Sequence, residues 1–333
     1  MSIATIFALH ERESLYSGAN SAIWYSHHLA DSLAKSKTRE EDYVATLVTN
    51  GVPLLLDRWE PLLRHKGIAL KLAGVFCHGH PQVSFGAPRS QVELADLLVV
   101  HQHTKGSRVS ARAILLQAKM STDSTHKLST SDPQLQLFST WPSFEFVTGG
   151  LAPGLRNIKE KGKGSRYALI HDGNSYPETI TWADQCPWAA SPATPMLTAD
   201  RSLARLLGDM LLNKDGRPFQ LGKPKDDWSR TIQELLETTG KRTYRRANIK
   251  RDPLPRITGN LGVGSDVMLA YAPHVQFPSP LSTSKASILD RYFGETLTSL
   301  DAGSDNMPPP AEGFDLPPGG ISSLIIETAE GVG

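Results

Sequence analysis

Polar side chains lie within two short apolar stretches of the sequence, where polar groups are costly. Residues 92–100 and 113–119 are rich in branched apolar side chains and short enough to form buried strands, yet they contain Asp96, Gln117 and Lys119. These side chains offer a carboxylate, an amide and an amine, which supply negative charge, hydrogen bonds and positive charge to binding or catalytic sites. Their presence in buried strands predicts a site.

The polar segment between the two stretches contains a glycine and has the composition of a hairpin loop. If the hairpin is centred between Gly106 and Ser107, the residue numbers of two facing positions add up to 213. Asp96 then lies opposite Gln117. Side chains alternate between faces, so Lys119 projects from the same face two residues along. A β-bulge would shift this register and separate the three groups. An ordinary ion pair between Asp96 and Lys119 at the end of a sheet is the alternative role for these two residues.

A strand with Asp96, a hairpin, and a second strand ending in Gln117, Ala118 and Lys119 resembles the PD-(D/E)xK, or restriction-endonuclease-like, nucleases in the variant where glutamine replaces the middle acid. The resemblance covers roughly residues 38–150. It implies an α/β fold with a mixed sheet flanked by helices. It also implies that Asp96 and the backbone carbonyl of Ala118 bind Mg²⁺ or Mn²⁺, with Gln117 as a weaker ligand. Lys119 would orient the attacking water and stabilise charge on the phosphate.

Members of this family often contain a glutamate on an upstream helix that binds the same metal ion. The sequence predicts a helix from Thr38 to Gly51, in which Glu41 matches that position best and Glu40 less well. Glu93 lies on the other face of its strand and is a weak substitute. Thr38 and Glu41 also have the spacing of a capping box, in which Glu41 would only bond back to the helix start. Both roles of Glu41 stay open.

A short helix is predicted after the hairpin, capped by Asp132 and with Pro133 at its first position. Gln134 and Phe138 are four residues apart and share one face. This arrangement resembles the QxxxY helix of exonuclease-type members, with Phe in place of Tyr, and implies that Gln134 contacts nucleic acid. The alternative is an ordinary helix with Gln134 turned outward and Phe138 in the core.

Two His-x-His pairs are further candidates for metal ligands: His78 with His80, which follow Cys77, and His101 with His103. On a strand, this spacing places both rings on one face, which suits a zinc site. However, no second cysteine lies near, and His101 and His103 are predicted at the exit of a strand into a polar loop. We therefore favour the interpretation in which neither pair binds a metal.

The net charge of +1 is unevenly distributed along the chain. No Lys or Arg follows Arg291, and removing the six acids beyond residue 300 leaves residues 1–300 at +7. A basic cluster without intervening acids stands out in this part: Lys241, Arg242, Arg245, Arg246, Lys250 and Arg251. Such a cluster predicts contacts with nucleic-acid phosphates, and a solvated loop after a helix is its alternative.

The composition, 39% hydrophobic and 21% charged over 333 residues, is typical of a globular protein. No apolar run reaches membrane-spanning length, and the first residues lack the pattern of a secretion signal. Two cysteines do not make a disulfide framework. These observations predict no membrane partner and a cytoplasmic location.

The order of predicted elements, helix, strand, hairpin, helix, strand, fits an α/β sandwich. Residues 1–175 are predicted as the nuclease-like core, and residues 176–300 as a helical or irregular extension that contains the basic cluster. Residues 301–320 are an acidic linker rich in Pro and Gly. Residues 321–333 are apolar again at their start and are predicted to return as a strand at a sheet edge.

The resemblance implies a magnesium-dependent endonuclease that acts on DNA, with bacterial antiviral defence as its context. The alternative belongs to another class of protein: a nuclease-fold module with little or no catalytic ability, which binds nucleic acid or a partner ATPase or helicase. The neutral Gln117 and the open role of Glu41 keep this alternative in place.

Overall fold

The structure, a computed structural model, describes residues 3–77, 81–148, 150–173, 177–242, 244–245, 267–271, 287–298 and 320–331. The helices in these ranges are α1 (Leu9–Leu33), α2 (Glu40–Thr46), α3 (Val52–His65), α4 (Pro133–Thr140), α5 (Leu203–Leu211), α6 (Asp227–Arg242) and α7 (Ile288–Thr298). The strands are β1 (Ile68–Phe76), β2 (Gln82–Phe85), β3 (Ser90–Glu93), β4 (Leu97–Lys105), β5 (Arg108–Ser121), β6 (Thr125–Lys127), β7 (Phe144–Phe146), β8 (Ser165–His171), β9 (Trp188–Ser191), β10 (Met196–Thr198), β11 (Arg217–Phe219), β12 (Tyr244–Arg245), β13 (Val267–Tyr271) and β14 (Ser322–Glu330). Short 3-10 turns lie at Ile3–Thr5, Pro177–Thr179 and Ala183–Gln185, and a π turn, Leu47–Gly51, joins α2 to α3.

The main sheet is mixed, in the order β12-β13-β1-β14-β4-β5-β8-β9, with β11 paired to β5. Its parallel pairs are β12 with β13, β14 with β4, and β5 with β8, and the remaining pairs are antiparallel. Two small sheets, β3-β2-β7 and β10-β6, stand beside it. The prediction of an α/β protein with a mixed sheet flanked by helices is confirmed at this level.

Each face of the main sheet has its own hydrophobic core because side chains alternate along the strands. One face, here called the α1 face, packs against α1, α2, α3 and α5 and includes Leu97 and Leu116. The opposite face, here called the α4 face, packs against α4, α6 and α7 and includes Leu98 and Leu115. By this alternation Asp96, Gln117 and Lys119 belong to the α4 face.

The predicted hairpin register is confirmed. Leu97 faces Leu116 and Lys105 faces Arg108, so facing positions sum to 213 as predicted. The turn requires Gly106, whose φ of 56° lies in the left-handed region.

The predicted single strand over residues 92–100 is wrong, because the chain changes sheets within it. β3 pairs with β2, and β4 begins only at Leu97. Between them Leu94 and Ala95 are buried, and the backbone N–H of Leu94 donates to the carbonyl of Pro81 at 2.7 Å. Asp96 therefore stands at a bend, at the entrance to β4, instead of in the middle of a strand.

The predicted helix from Thr38 to Gly51 differs from the structure at both ends. Its first residue is Glu40, because the hydroxyl of Thr38 donates to Asp31 at 2.8 Å instead of capping the helix. At its other end the helical path continues through the π turn into α3, with Gly51 in a helical conformation.

A close approach of two backbones accompanies this π turn. The carbonyl oxygen of Val48 lies over Gly74 of β1, only 1.7 Å from where a Cβ atom would be placed. Gly74 is thus the residue that lets the π turn pack directly on the sheet, and any side chain there would separate the two.

The predicted edge placement of the segment after residue 320 is wrong. β14 lies inside the sheet, antiparallel to β1 and parallel to β4. Leu324 and Ile326 pack on the α1 face and Ile325 on the α4 face, and all three are fully buried. An apolar strand buried on both faces belongs at the centre of a sheet, where no backbone group stays unpaired.

The predicted boundary at residue 175 does not separate the described residues into a core and an extension. Beyond it, β9, β11, β13 and β14 join the main sheet, and α5, α6 and α7 pack on its faces. Most of the predicted linker, residues 301–319, lies outside the described residues. Among the described helices, none has the length and apolarity that crossing a membrane requires.

Candidate active site

Asp96 is the centre of the candidate site. It is half-buried at the bend before β4, and its Oδ2 accepts hydrogen bonds from Nε2 of Gln117 at 2.5 Å and from the backbone N–H of Ala118 at 2.6 Å. Its own N–H donates to the carbonyl of Leu116 at 3.0 Å. The adjacency of Asp96 and Gln117 that the hairpin register predicts is therefore confirmed.

The backbone of Ala118 is turned toward Asp96. Its N–H points to the β4 side of β5, whereas the N–H of Leu115 points to the β8 side and donates to Gly164. Because the N–H and C=O of one strand residue lie on the same edge, the carbonyl of Ala118 also points to the β4 side. β4 has not yet begun at this level, so that carbonyl is directed to the space beside Asp96.

Lys119 is half-buried on the same face, with Leu169 of β8 as its register partner. It makes no hydrogen bond or ion pair with any residue that the structure describes. The alternative in which Asp96 and Lys119 form an ordinary ion pair is therefore not the arrangement observed. Among the described residues, nothing therefore competes with an anion for this ammonium group.

Two buried polar atoms at the site have no hydrogen-bond partner in the described part of the chain: Oε1 of Gln117 and the hydroxyl of Tyr167. Tyr167 is the register partner of Gln117 on β8, and its ring packs on Phe138 with the centroids 5.6 Å apart. Burial, followed by the charge of Asp132, raises the pKa of Tyr167 well above its ordinary value, so its hydroxyl stays neutral. Sequence reasoning missed Tyr167, because pairing between β5 and β8 cannot be read from either strand alone.

The helix after the hairpin is confirmed, with Asp132 as its cap: Oδ1 accepts from the N–H groups of Gln134 at 2.7 Å and Leu135 at 3.2 Å. Phe138 is in the core, as its ordinary-helix alternative predicts. Gln134 is not turned outward, however. It is buried, and its Nε2 donates to the carbonyl of Leu94 at 3.4 Å. Leu94 precedes Asp96 by two residues.

Glu41 does not cap its helix. The capping box is formed by Arg39 and Asp42, where Oδ2 of the fully buried Asp42 accepts from the N–H of Arg39 at 2.9 Å. Glu41 is half-buried, and its Oε2 lies 3.3 Å from NH2 of Arg39. The capping alternative for Glu41 is wrong, and its role as a metal ligand stays a prediction.

The two substitutes for Glu41 lie in different places. Glu40 is the first residue of α2, and Glu93 faces Gln82 in the small sheet. Across the described ranges, no group of three or more His, Cys, Asp or Glu residues is arranged to hold a metal ion.

His101 and His103 share one face of β4, as predicted, but they are buried within the sheet and not at the exit of a strand. Nε2 of His101 and Nδ1 of His103 each lie 2.9 Å from Oγ1 of Thr328, and Nε2 of His103 lies 3.2 Å from Glu330. Burial lowers the pKa of His101 to about 3. The pair links β4 to β14, with His101 in its neutral form, while His78 and His80 lie outside the described residues.

Half of the basic cluster lies in the described residues. Lys241 is exposed near the end of α6 and pairs with Glu237 at 2.7 Å, Arg242 ends that helix, and Arg245 lies in β12 at the sheet edge. The others lie outside the described residues: Arg246, Lys250 and Arg251. The nucleic-acid role of the cluster stays a prediction.

No protein-family model, no curated protein and no solved structure matches this chain. The function of this protein is therefore inferred from the contacts of Asp96 with Gln117 and Ala118.

Proposed function

We propose that this protein is a nuclease with a restriction-endonuclease-like fold, which hydrolyses phosphodiester bonds of DNA with Mg²⁺ or Mn²⁺. One observation carries the proposal: Asp96 meets the Gln117-Ala118-Lys119 segment where β4 begins and β5 nears its end. A carboxylate, a backbone carbonyl directed beside it and a lysine that no described residue pairs come together at this point, which is typical of a catalytic or binding site.

The ligands that the site offers fit a hard divalent cation. They are oxygen atoms, from the carboxylate of Asp96 and the carbonyl of Ala118, and magnesium needs few protein ligands because it keeps several waters. Glu41 is the further ligand in this proposal, and it would have to reach the cation around the end of β5, because α2 packs on the opposite, α1 face of the sheet. A bound cation would supply an activated water and offset charge on the phosphate.

The side chains around Asp96 have separate roles in this proposal. The amide of Gln117 and the N–H of Ala118 both donate to Oδ2 and so fix the orientation of the carboxylate. Lys119 places its ammonium next to the phosphate and stabilises the charge that develops on its oxygens. Gln117 acts here as a donor to Asp96, and its use as a metal ligand would require the opposite orientation of its amide.

A binding module is the second candidate function, and one observation favours it. Oδ2 of Asp96 already accepts two hydrogen bonds, and position 117 lacks the charge of an acid. In this alternative, Lys119 and the basic cluster bind nucleic acid, or the surface docks on a partner ATPase or helicase, without cleavage.

The test is incubation of the purified protein with linear and circular DNA, single-stranded DNA and RNA, in Mg²⁺, in Mn²⁺ and in EDTA. The proposal expects metal-dependent cleavage of DNA that is lost in Asp96→Asn and Lys119→Ala. Lys161→Ala, a change at an exposed lysine, is the matched control and should keep full activity. Cleavage that survives in both Asp96→Asn and Lys119→Ala would remove these residues from the mechanism. Binding without cleavage under every condition would support the binding module.

A further inference from the structure

Two neighbouring strands each place one buried polar atom without a partner on the α4 face. Gln117 and Tyr167 are register partners on β5 and β8, and they are 6% and 0% exposed. Neither Oε1 of Gln117 nor the hydroxyl of Tyr167 has a hydrogen-bond partner in the described part of the chain. Buried polar groups are almost always paired, so two orphans at one register position call for a common partner.

The surroundings limit what that partner is. Both atoms are shielded from solvent, so a substrate group cannot reach them without opening the core. Oε1 of Gln117 is an acceptor and requires a donor, whereas the hydroxyl of Tyr167 both donates and accepts. A water molecule has the small size and the donor capacity for both, and buried waters commonly join such groups.

We propose that one buried water bridges Tyr167 to Oε1 of Gln117, and that Tyr167 is thereby a positioning residue for Asp96. The chain of contacts runs from the Tyr167 hydroxyl through the water to the amide oxygen, and from the amide nitrogen to Oδ2 of Asp96. The bridge holds the amide with its NH₂ group toward the carboxylate. The importance of this for catalysis rests on the proposed nuclease function, but the bridge itself does not.

The decisive measurement is nuclear magnetic resonance of the Gln117 side-chain NH₂ group in ¹⁵N-labelled protein. Tyr167→Phe removes one oxygen and keeps the ring that packs on Phe138. We expect exchange of the Gln117 NH₂ protons with solvent to become several-fold faster, and a water-to-Gln117 nuclear Overhauser effect to disappear. Tyr16→Phe is the matched control, because its hydroxyl bonds to Asp209 at 2.8 Å instead, and it should leave Gln117 unchanged.

A double change separates positioning from general packing. In a Gln117→Met background, Tyr167→Phe should not lower cleavage further, since the group it positions is gone, and should not destabilise the protein, since the hydroxyl has already lost its bridge. If the wild type cleaves DNA, Tyr167→Phe alone should lower kcat and leave KM unchanged. If the wild type does not cleave DNA, the proposed function fails while the exchange measurement still decides the bridge.

Two results would overturn the bridge. The first is an unchanged exchange rate at Gln117 in Tyr167→Phe, above all if that variant melts at a higher temperature, because the hydroxyl would then be simply unpaired. The second is an effect of Tyr167→Phe that is equally large with and without Gln117.

Discussion

The carboxylate of Asp42, and not that of Glu41, closes the first turn of α2, through a 2.9 Å hydrogen bond from the backbone N–H of Arg39. Two adjacent acids thus occupy different environments, one fully buried and structural and the other half-buried beside an arginine side chain. Because of this difference, the structural role of Asp42 can be tested separately from the proposed role of Glu41 as a metal ligand.

The first prediction compares these two acids. Asp42→Ala should lower the free energy of unfolding by about 1–2 kcal/mol, because the capping acceptor is lost. Glu41→Gln should change it by less than about 0.5 kcal/mol, and should abolish metal-dependent cleavage if Glu41 is a ligand. Urea unfolding and a cleavage assay on both variants give the answer. Full cleavage by Glu41→Gln would exclude Glu41 and leave Glu40 as the acid to test next.

The second prediction concerns the charge at position 117. Gln117→Glu would place a second carboxylate where an amide now donates to Asp96 at 2.5 Å. Without a divalent cation we expect a loss of roughly 2–4 kcal/mol in stability from like-charge repulsion. Mg²⁺ should restore much more stability to this variant than to the wild type. Thermal unfolding in EDTA and in Mg²⁺ measures this, with uncharged Gln117→Met as control. If Mg²⁺ does not change the melting temperature of Gln117→Glu, this would argue against a cation at Asp96.

The third prediction concerns acid. Burial, then the neighbouring His103, lowers the pKa of His101 from its ordinary 6.5 to about 3 in the folded protein. Below pH 6.5 the unfolded chain therefore binds a proton that folded His101 does not. The contribution to stability is complete above pH 6.5 and is lost as the pH falls toward 3. At about 1.4 kcal/mol per pH unit, this group should cost roughly 2 kcal/mol between pH 6.5 and 4.5.

Urea unfolding at several pH values checks this expectation. The His101→Gln variant should lose correspondingly less stability over the same interval, whatever its stability at pH 7. Equal slopes for the two proteins would show that His101 does not titrate in the way its burial implies.

How far the sequence predicted the site depends on whether each contact is local. The hairpin that pairs Asp96 with Gln117 is local, because a glycine turn and two apolar stretches define its register, and it was predicted correctly. Tyr167 reaches the same place through a parallel pairing with β5, about fifty residues away in sequence, and no short-range pattern encodes that register. The split before Leu97 depends on the hydrogen bond from Leu94 to Pro81, the residue before β2 of the small sheet, and this contact also leaves no local signal.

The fold shows the same division. The sequence predicted the pairing of β4 with β5, whereas it did not predict the position of β14 between β1 and β4. Its apolar residues indicated a strand, but burial on both faces is a property of its neighbours.

The fourth prediction concerns this strand. Ile325→Ala should lower the free energy of unfolding by about 2–5 kcal/mol, because Ile325 is fully buried in the α4-face core. Deletion of residues 320–331 should yield an insoluble or unfolded protein. Leu33→Ala, at a surface position of α1 that is 48% exposed, is the control and should fold normally. A soluble, cooperatively folded deletion variant would contradict the central position of β14.

The position of β14 also has a consequence for how the chain is made. It is the last of the described strands in sequence, yet its two neighbours, β1 and β4, have no other strand between them to hold them together. During synthesis both neighbours therefore leave the ribosome with an unsatisfied edge, and the two sides of the sheet join only when residues 322–330 arrive. Until then each edge is open to pairing with another nascent chain, an exposure that the folded protein no longer shows.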